Sequence, residues 1–189
     1  MSLFDDEPVR PFRVGADWEN HRTHRSPETG PPQDEVGVLA LSSFLLARTD
    51  EVVVAVRGIT AYSDGLLISL AVLFADEQKA EDLSWSMRDF SRSPGRFRFG
   101  CVFSDGRAAT SGTRDAPQVA QPGVATLVLR HTTPSELLWD GLYWLHPLPP
   151  PGPLVRGCRW PDRGIPETLV EIDPAPLLAA AATCGPVWR

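Results

Sequence analysis

Residues 52–74 read VVVAVRGITAYSDGLLISLAVLF, and this stretch decides the fold class. Two apolar runs flank the pair Asp64–Gly65, which supplies the positive φ angles that a two-residue hairpin turn demands. When side chains alternate as in a strand, residues 66–74 are apolar on nearly both faces. The stretch therefore predicts a β-hairpin whose second strand lies centrally in a sheet.

The same kind of pattern continues along the chain from Val36. Short apolar runs alternate with turn residues about every ten positions, which is the spacing of an all-β sandwich or barrel. A second turn pair, Asp105–Gly106, predicts another hairpin. Strands are expected at residues 38–47, 52–61, 66–75, 96–104, 107–112, 124–130, 141–146, 154–160 and 167–172. We predict an all-β fold, an antiparallel β-sandwich of eight or nine strands, with an immunoglobulin-like (Ig-like) arrangement as one candidate.

Alternation within residues 96–104 predicts one face in the core and one face in solvent. The core face carries Phe97, Phe99, Cys101 and Phe103, and the other carries Arg96, Arg98, Gly100 and Val102. The same region holds the densest positive charge of the chain, in Arg88, Arg92, Arg96, Arg98, Arg107 and Arg114. A polar sandwich face explains these arginines, and a local site for phosphate or for an acidic protein is the alternative.

The two ends of the chain differ from its middle. Residues 1–35 are rich in proline and charge with almost no apolar periodicity, which predicts a flexible arm before a domain at 36–189. At the carboxyl end, Asp173 as N-cap, Pro174 as first helical residue and Gly185–Pro186 as stop signal predict a helix over 174–184. A helical turn or two is also expected within residues 76–90.

Composition restricts the location and the partners. The formal charge is −6 and the isoelectric point is near 5.2, which argues against a nucleic acid or an anionic membrane as partner. The amino terminus lacks the basic and apolar regions of a secretion signal, so a cytoplasmic location is expected. Cys101, Cys158 and Cys184 are far apart and in no CxxC pair, which predicts buried reduced thiols.

Catalytic and cofactor motifs are missing from the sequence. It contains no GxSxG, HExxH, P-loop or GxGxxG, and the close pair His21 and His24 lies in the arm, so we predict no cofactor and no metal site. Glu167 and Glu171 share a face of a predicted strand, but no apolar pocket is evident around them for acid–base work. The sequence therefore offers no candidate catalytic residues.

The proline-rich segment at residues 147–153 admits two interpretations. It contains a PxxP core at Pro150 and Pro153, which is typical of ligands for proline-binding domains. However, the flanking runs 141–146 and 154–160 are strand segments that need fixed partners. The prolines are therefore interpreted as a stiff connection between two strands.

Several motifs of the carboxyl half resemble a family of bacterial, mainly actinobacterial, hypothetical proteins. These motifs are WDGLYW at 139–144, LPPPGPL at 148–154, CRWP at 158–161, GIPET at 164–168 and VEID at 170–173. The resemblance covers most of residues 38–188 and implies an all-β domain of bacterial origin. It supplies no activity and no site residues.

Two functions from different classes remain open. The first is a non-catalytic, cytoplasmic protein-interaction module, and the alternative is an enzyme whose pocket is assembled from distant loops. Trp, Tyr and Arg are the side chains that most often anchor interfaces, and several flank the proline loop. The candidate contact residues for a protein partner are Trp139, Tyr143, Pro150, Pro151, Arg159, Trp160 and Arg163.

Overall fold

The computed structural model describes residues 26–75, 95–111 and 123–188, and within these ranges ten strands form two antiparallel sheets. The strands are β1 (Val38–Leu41), β2 (Phe44–Arg48), β3 (Val52–Ala61), β4 (Leu66–Phe74), β5 (Arg98–Val102), β6 (Ala108–Thr110), β7 (Thr126–Pro134), β8 (Leu138–His146), β9 (Leu154–Trp160) and β10 (Ile165–Ile172). One sheet runs β1-β3-β4-β8-β7, with β2 also paired to β3, and the other runs β10-β9-β5-β6. The predicted antiparallel sandwich is confirmed. Its two sheets contain six and four strands, ten in total, whereas immunoglobulin domains have seven or nine.

The extra strand arises because residues 38–47 form two strands instead of one. Both β1 and β2 pair with β3, but β1 pairs with Ile59–Ala61 and β2 pairs with residues 53–56. Between these segments the register of β3 with β4 shifts at residues 56–58. A bulge of this kind bends the strand. The run at 38–47 therefore breaks at the exposed residues Ser42 and Ser43.

The core lies between the two sheets, as alternation predicts. In the central strand β4, the residues at 66, 68, 70, 72 and 74 are all buried, and β4 lies between β3 and β8. In the smaller sheet, the phenylalanines and the cysteine of the predicted core face are buried. Aromatic rings join the layers, because Trp160 of β9 packs edge-on against Phe74 of β4 with ring centroids 6.1 Å apart.

The turn at Asp64–Gly65 differs from the prediction. Residues 62–65 connect β3 to β4, the Tyr62 N–H donates to the Gly65 carbonyl at 2.9 Å, and neither Asp64 nor Gly65 has a positive φ angle. Glycine is required there for space, because a Cβ atom at residue 65 would lie 2.4 Å from Cζ2 of Trp144. In the second predicted turn, Gly106 has a φ of 85° and Asp105 does not have a positive φ.

The folded domain begins earlier than residue 36. A 3-10 turn at Pro27–Thr29 packs on β8, and Nε1 of Trp144 donates a hydrogen bond to the Pro27 carbonyl at 2.8 Å. The Glu35 carboxylate accepts from the N–H and the hydroxyl of Ser63 at 3.0 and 2.6 Å. Residues 26–35 are therefore part of the domain. The rest of the predicted arm and the helical turns expected within 76–90 lie outside the described residues, as do residues 112–122.

The carboxyl-terminal helix is present but shorter than predicted. Helix α1 (Ala175–Ala181) packs on β1 and β3 through the buried Leu177 and Ala181. The Asp173 carboxylate accepts a hydrogen bond from the Ala175 N–H at 2.9 Å, so it stabilises the first turn.

Candidate binding groove

A groove lies on the outer face of the smaller sheet, over the pair Gly100 and Gly157. These glycines are directly opposite each other on β5 and β9, and the groove above them has a volume of 210 Å³. Across the sheet, Thr110 of β6 flanks one glycine and Leu169 of β10 flanks the other. We call this feature the glycine groove. It is lined by Arg98, Phe99, Gly100, Cys101, Val102, Thr110, Val155, Gly157, Cys158, Arg159, Glu167 and Leu169.

The bottom of the glycine groove lies close to the backbone, because neither Gly100 nor Gly157 carries a side chain. A Cβ atom at Gly157 would lie 2.6 Å from Cδ2 of Leu169 and 2.7 Å from the Thr168 carbonyl oxygen. A Cβ atom at Gly100 would lie 2.9 Å from Cγ2 of Thr110. Glycine inside a strand weakens packing within the sheet and often marks a site of close approach by a ligand or another backbone. Leu169 and Thr110 therefore occupy the space beside the two glycines, and a larger residue at either position would clash with them.

One end of the groove is positively charged. Arg98 and Arg159 are directly opposite each other on β5 and β9, with their side chains on the outer face. Neither guanidinium forms a hydrogen bond or ion pair within the described structure, although Glu167 lines the same groove. Like charges directly opposite each other across strands are destabilising. An anionic group placed between the two arginines would relieve that repulsion.

The other end of the groove is apolar. Val102 and Val155 are cross-strand partners there, and Val102 is 43% exposed. Leu169, beside Gly157, is 61% exposed. The groove thus offers two cations at one end and exposed aliphatic side chains along the rest, which is an amphipathic surface.

The two cysteines behind the groove contribute backbone but no reactive thiol. Cys101 and Cys158 direct their side chains into the core, where both are buried. Burial raises the pKa of the Cys101 thiol to about 11 and that of Cys158 to about 12. Because the thiolate is the nucleophile, these side chains stay protonated and unreactive near neutral pH. The predicted buried, free thiols are found at both positions, whereas Cys184 is free but only partly buried.

Three of the predicted contact residues belong to the core. Trp139 and Tyr143 are fully buried and Trp160 is 6% exposed, so their rings fill the space between the sheets and do not face a partner. Aromatic side chains suit interfaces and cores equally well, since both reward a large buried area. Exposure cannot be read from residue type alone.

The remaining contact residues do not form one surface. Pro150 and Pro151 precede β9, where the Ser104 hydroxyl donates to the Pro151 carbonyl at 2.8 Å, whereas Arg163 follows β9. A seven-residue strand separates these ends by roughly 20 Å. Arg163 also stacks over the Trp160 ring at 5.7 Å and lies 3.9 Å from a Glu51 carboxylate oxygen. Among the predicted contact residues, Arg159 lines the glycine groove.

The predicted arginine cluster is only partly gathered at this site. Arg98 lines the groove, whereas Nε of Arg107 bonds to the Asp105 carboxylate at 2.7 Å. Arg88, Arg92 and Arg114, like His21 and His24, lie outside the described residues. Sequence reasoning missed Gly157 and Leu169. Alternation within β9 places Gly157 on the same face as Arg159, but Leu169 joins them only through the pairing of β10 with β9.

Comparisons add no relative to this description. No protein-family model, curated protein or solved structure matches the chain. Across residues 26–75, 95–111 and 123–188, no group of three or more His, Cys, Asp or Glu side chains could hold a metal ion. No helix in those same ranges has the length and apolarity needed to cross a membrane.

Proposed function

We propose that the chain is a non-catalytic binding module whose glycine groove takes up an extended polypeptide segment carrying acidic and aliphatic side chains. The observation that carries this proposal is the opposed pair Arg98 and Arg159, neither of which forms an ion pair within the described structure although Glu167 lines the same groove. Planar guanidinium groups bind carboxylates through paired hydrogen bonds. The exposed Leu169 and Val102 suit the aliphatic side chains of the same segment.

The size and position of the groove favour a polypeptide over a small molecule. Its 210 Å³ holds one or two side chains, whereas sites for drug-sized ligands and cofactors occupy about 300–1,000 Å³. It lies on the face of a sheet, over Gly100 and Gly157, which carry no side chains, and glycine inside a strand often marks close approach by a ligand or another backbone. In an extended segment crossing this face every second side chain points towards the sheet, so one such residue can lie over the arginines and another at the aliphatic end.

The chemistry of the lining favours binding over catalysis. Among the described residues that line the groove, Glu167 is the one carboxylate and none is a histidine. The lining thiols face the core with raised pKa values. General acid–base and nucleophilic catalysis need a base within hydrogen-bond reach of the group it activates. The groove offers complementary charge and shape without such a pair.

The test is a titration followed by ¹H–¹⁵N NMR. The probe is a capped peptide in which every second residue is in turn glutamate or leucine, with serine between them, so that one face carries both side chains. The comparison peptide has lysine in place of glutamate. The acidic peptide is expected to shift the amide signals of Gly100, Gly157 and Thr110, and the basic peptide is expected to leave them unchanged. Equal shifts with both peptides, or no shift at the glycines, would refute the proposal.

Charge-reversal variants locate the interaction. The double variant Arg98→Glu with Arg159→Glu is expected to bind the acidic peptide at least about tenfold more weakly, a loss of about 1.4 kcal/mol. The matched control is Arg48→Glu, an exposed arginine at the end of β2 and outside the groove. It changes the net charge in the same direction and should bind normally. An equal loss in the control would indicate non-specific attraction.

A further inference from the structure

Arg156 is a fully buried arginine in the middle of β9. Strand alternation turns its side chain inward, on the same face as Leu154 and Cys158 and opposite to Arg159. Its relative exposure is 0%. Arginine is almost never fully buried unless it is paired. The position is therefore chemically distinct from the glycine groove on the other face of the strand.

The guanidinium group of Arg156 meets no hydrogen-bond acceptor among the described residues. Nε, Nη1 and Nη2 are all buried and without a partner. The Phe44 ring lies 5.8 Å from the guanidinium carbon and attracts the cation. A ring face lacks the in-plane lone pairs that could accept from the five N–H groups of this side chain.

The charge of Arg156 is also not neutralised by its strand neighbours. Burial lowers its pKa to about 10, so the side chain remains protonated at neutral pH. Its cross-strand partner Cys101 could supply a thiolate, but burial raises the pKa of that thiol to about 11. The partner on the other side is Val170. A buried charge without a counter-charge is strongly unfavourable, which implies that an anion accompanies it.

Arg156 lies close to an edge of the sandwich. In the smaller sheet β9 is next to the edge strand β10, and β10 contacts β2 of the larger sheet. Phe44 of β2 and Val170 of β10 are each only partly buried. Phe44 faces the guanidinium and Val170 is its cross-strand partner, so these two partly exposed side chains mark the side from which a ligand would approach Arg156.

We propose that Arg156 anchors a second binding site, in which its guanidinium pairs with the carboxylate of a small, partly apolar acid inserted between Phe44 and Val170. A carboxylate matches the planar fork of arginine with two parallel hydrogen bonds. The surrounding phenyl, isopropyl and thiol groups suit an aliphatic body. This site goes beyond the proposed function, since it lies on the opposite face of β9 and does not depend on the glycine groove.

The experiment measures the thermal unfolding of the full chain with sodium hexanoate or sodium chloride at equal ionic strength. At a hexanoate concentration 100-fold above Kd, the Tm of the wild type is expected to rise by about 5 to 10 °C. Arg156→Met should abolish the rise, and the control Arg98→Met should retain it. Equal rises with both salts, or an equal hexanoate effect in Arg156→Met, would overturn the proposal.

A direct measurement on the wild type avoids dependence on a variant that fails to fold. Hexanoate labelled with ¹³C at its carboxyl carbon is titrated with protein, and the carboxyl resonance is followed. Binding to the guanidinium should shift or broaden this resonance in proportion to the protein concentration. The effect should persist when sodium chloride replaces the other buffer salt at constant ionic strength. An unchanged resonance would contradict the site.

Discussion

Replacing Gly141 with alanine is expected to destabilise the protein through a clash with Trp139. A Cβ atom at residue 141 would lie 2.2 Å from Cη2 and 2.6 Å from Cζ3 of the indole ring. Carbon atoms in favourable contact are about 3.5–4.0 Å apart, so the closest approach is roughly 1.3 Å too short. The ring cannot swing into solvent to relieve this overlap, because Trp139 is fully buried beside Tyr143.

The magnitude follows from two opposing contributions. Overpacking of this severity costs about 3 kcal/mol. Alanine inside a strand recovers about 1 kcal/mol relative to glycine, because the unfolded chain has less conformational freedom to lose. The net loss of unfolding free energy is therefore about 2 kcal/mol, which for a chain of this size lowers Tm by about 4–8 °C.

Urea unfolding of Gly141→Ala and of the control Gly185→Ala measures this effect. A Cβ atom at Gly185 meets no atom within 4 Å, and its φ is not positive, so the control should change stability by no more than about 0.5 kcal/mol. In a Trp139→Leu background the ring is gone, so Gly141→Ala should become neutral or stabilise the protein by up to about 1 kcal/mol. An undiminished cost in that background would refute the clash as the cause.

Two further predictions concern the thiols and the proline loop. Because the pKa values of Cys101 and Cys158 are raised from 9.0 to about 11 and 12, the thiols ionise in the unfolded chain first, and stability should fall from pH 9 towards 11. The fall should approach about 1.4 kcal/mol per pH unit for each thiol. Urea unfolding between pH 8 and 10 should show that the unfolding free energy of Cys101→Ala depends less steeply on pH than that of the wild type. An identical dependence would exclude that thiol as a cause. In the loop, Pro150→Ala and Pro151→Ala should each lower the unfolding free energy by about 0.4–1 kcal/mol if their native angles suit proline, and an unchanged Tm would count against a structural role.

The local pattern of apolar runs and turn residues is sufficient to predict most strands of the fold. The bounds of β3, β9 and the start of β4 match the prediction because each is a short apolar run with clear ends. The division of residues 38–47 was not readable, since it depends on the bulge at residues 56–58 of a neighbouring strand. The sequence predicts a positive φ for Gly65, but the structure requires glycine there for space beside Trp144. Local pattern does not show this, because Trp144 lies far along the chain.

The candidate sites were harder to predict than the fold because they depend on which strands become neighbours. Alternation places Arg98 on the solvent face, and Arg159 is a predicted contact residue. Nothing local shows that these arginines stand opposite each other, since β5 and β9 are separated by three intervening strands in sequence. The sequence does indicate that Arg156 is unusual, because alternation places it on the same face as Leu154 and Cys158, in a strand whose other inward residues are apolar.

The alternation of β9 keeps the two binding proposals chemically separate. Arg159 faces outward, where water screens its charge and an anionic partner adds modest affinity. Arg156 faces inward, where screening is weak and a counter-ion contributes to the stability of the fold itself. Loss of the outer arginine should therefore change peptide binding with little effect on Tm, and Arg156→Met should change the response of Tm to carboxylates with little effect on peptide binding. A variant at either position that altered both properties would show that the two faces of the strand are coupled.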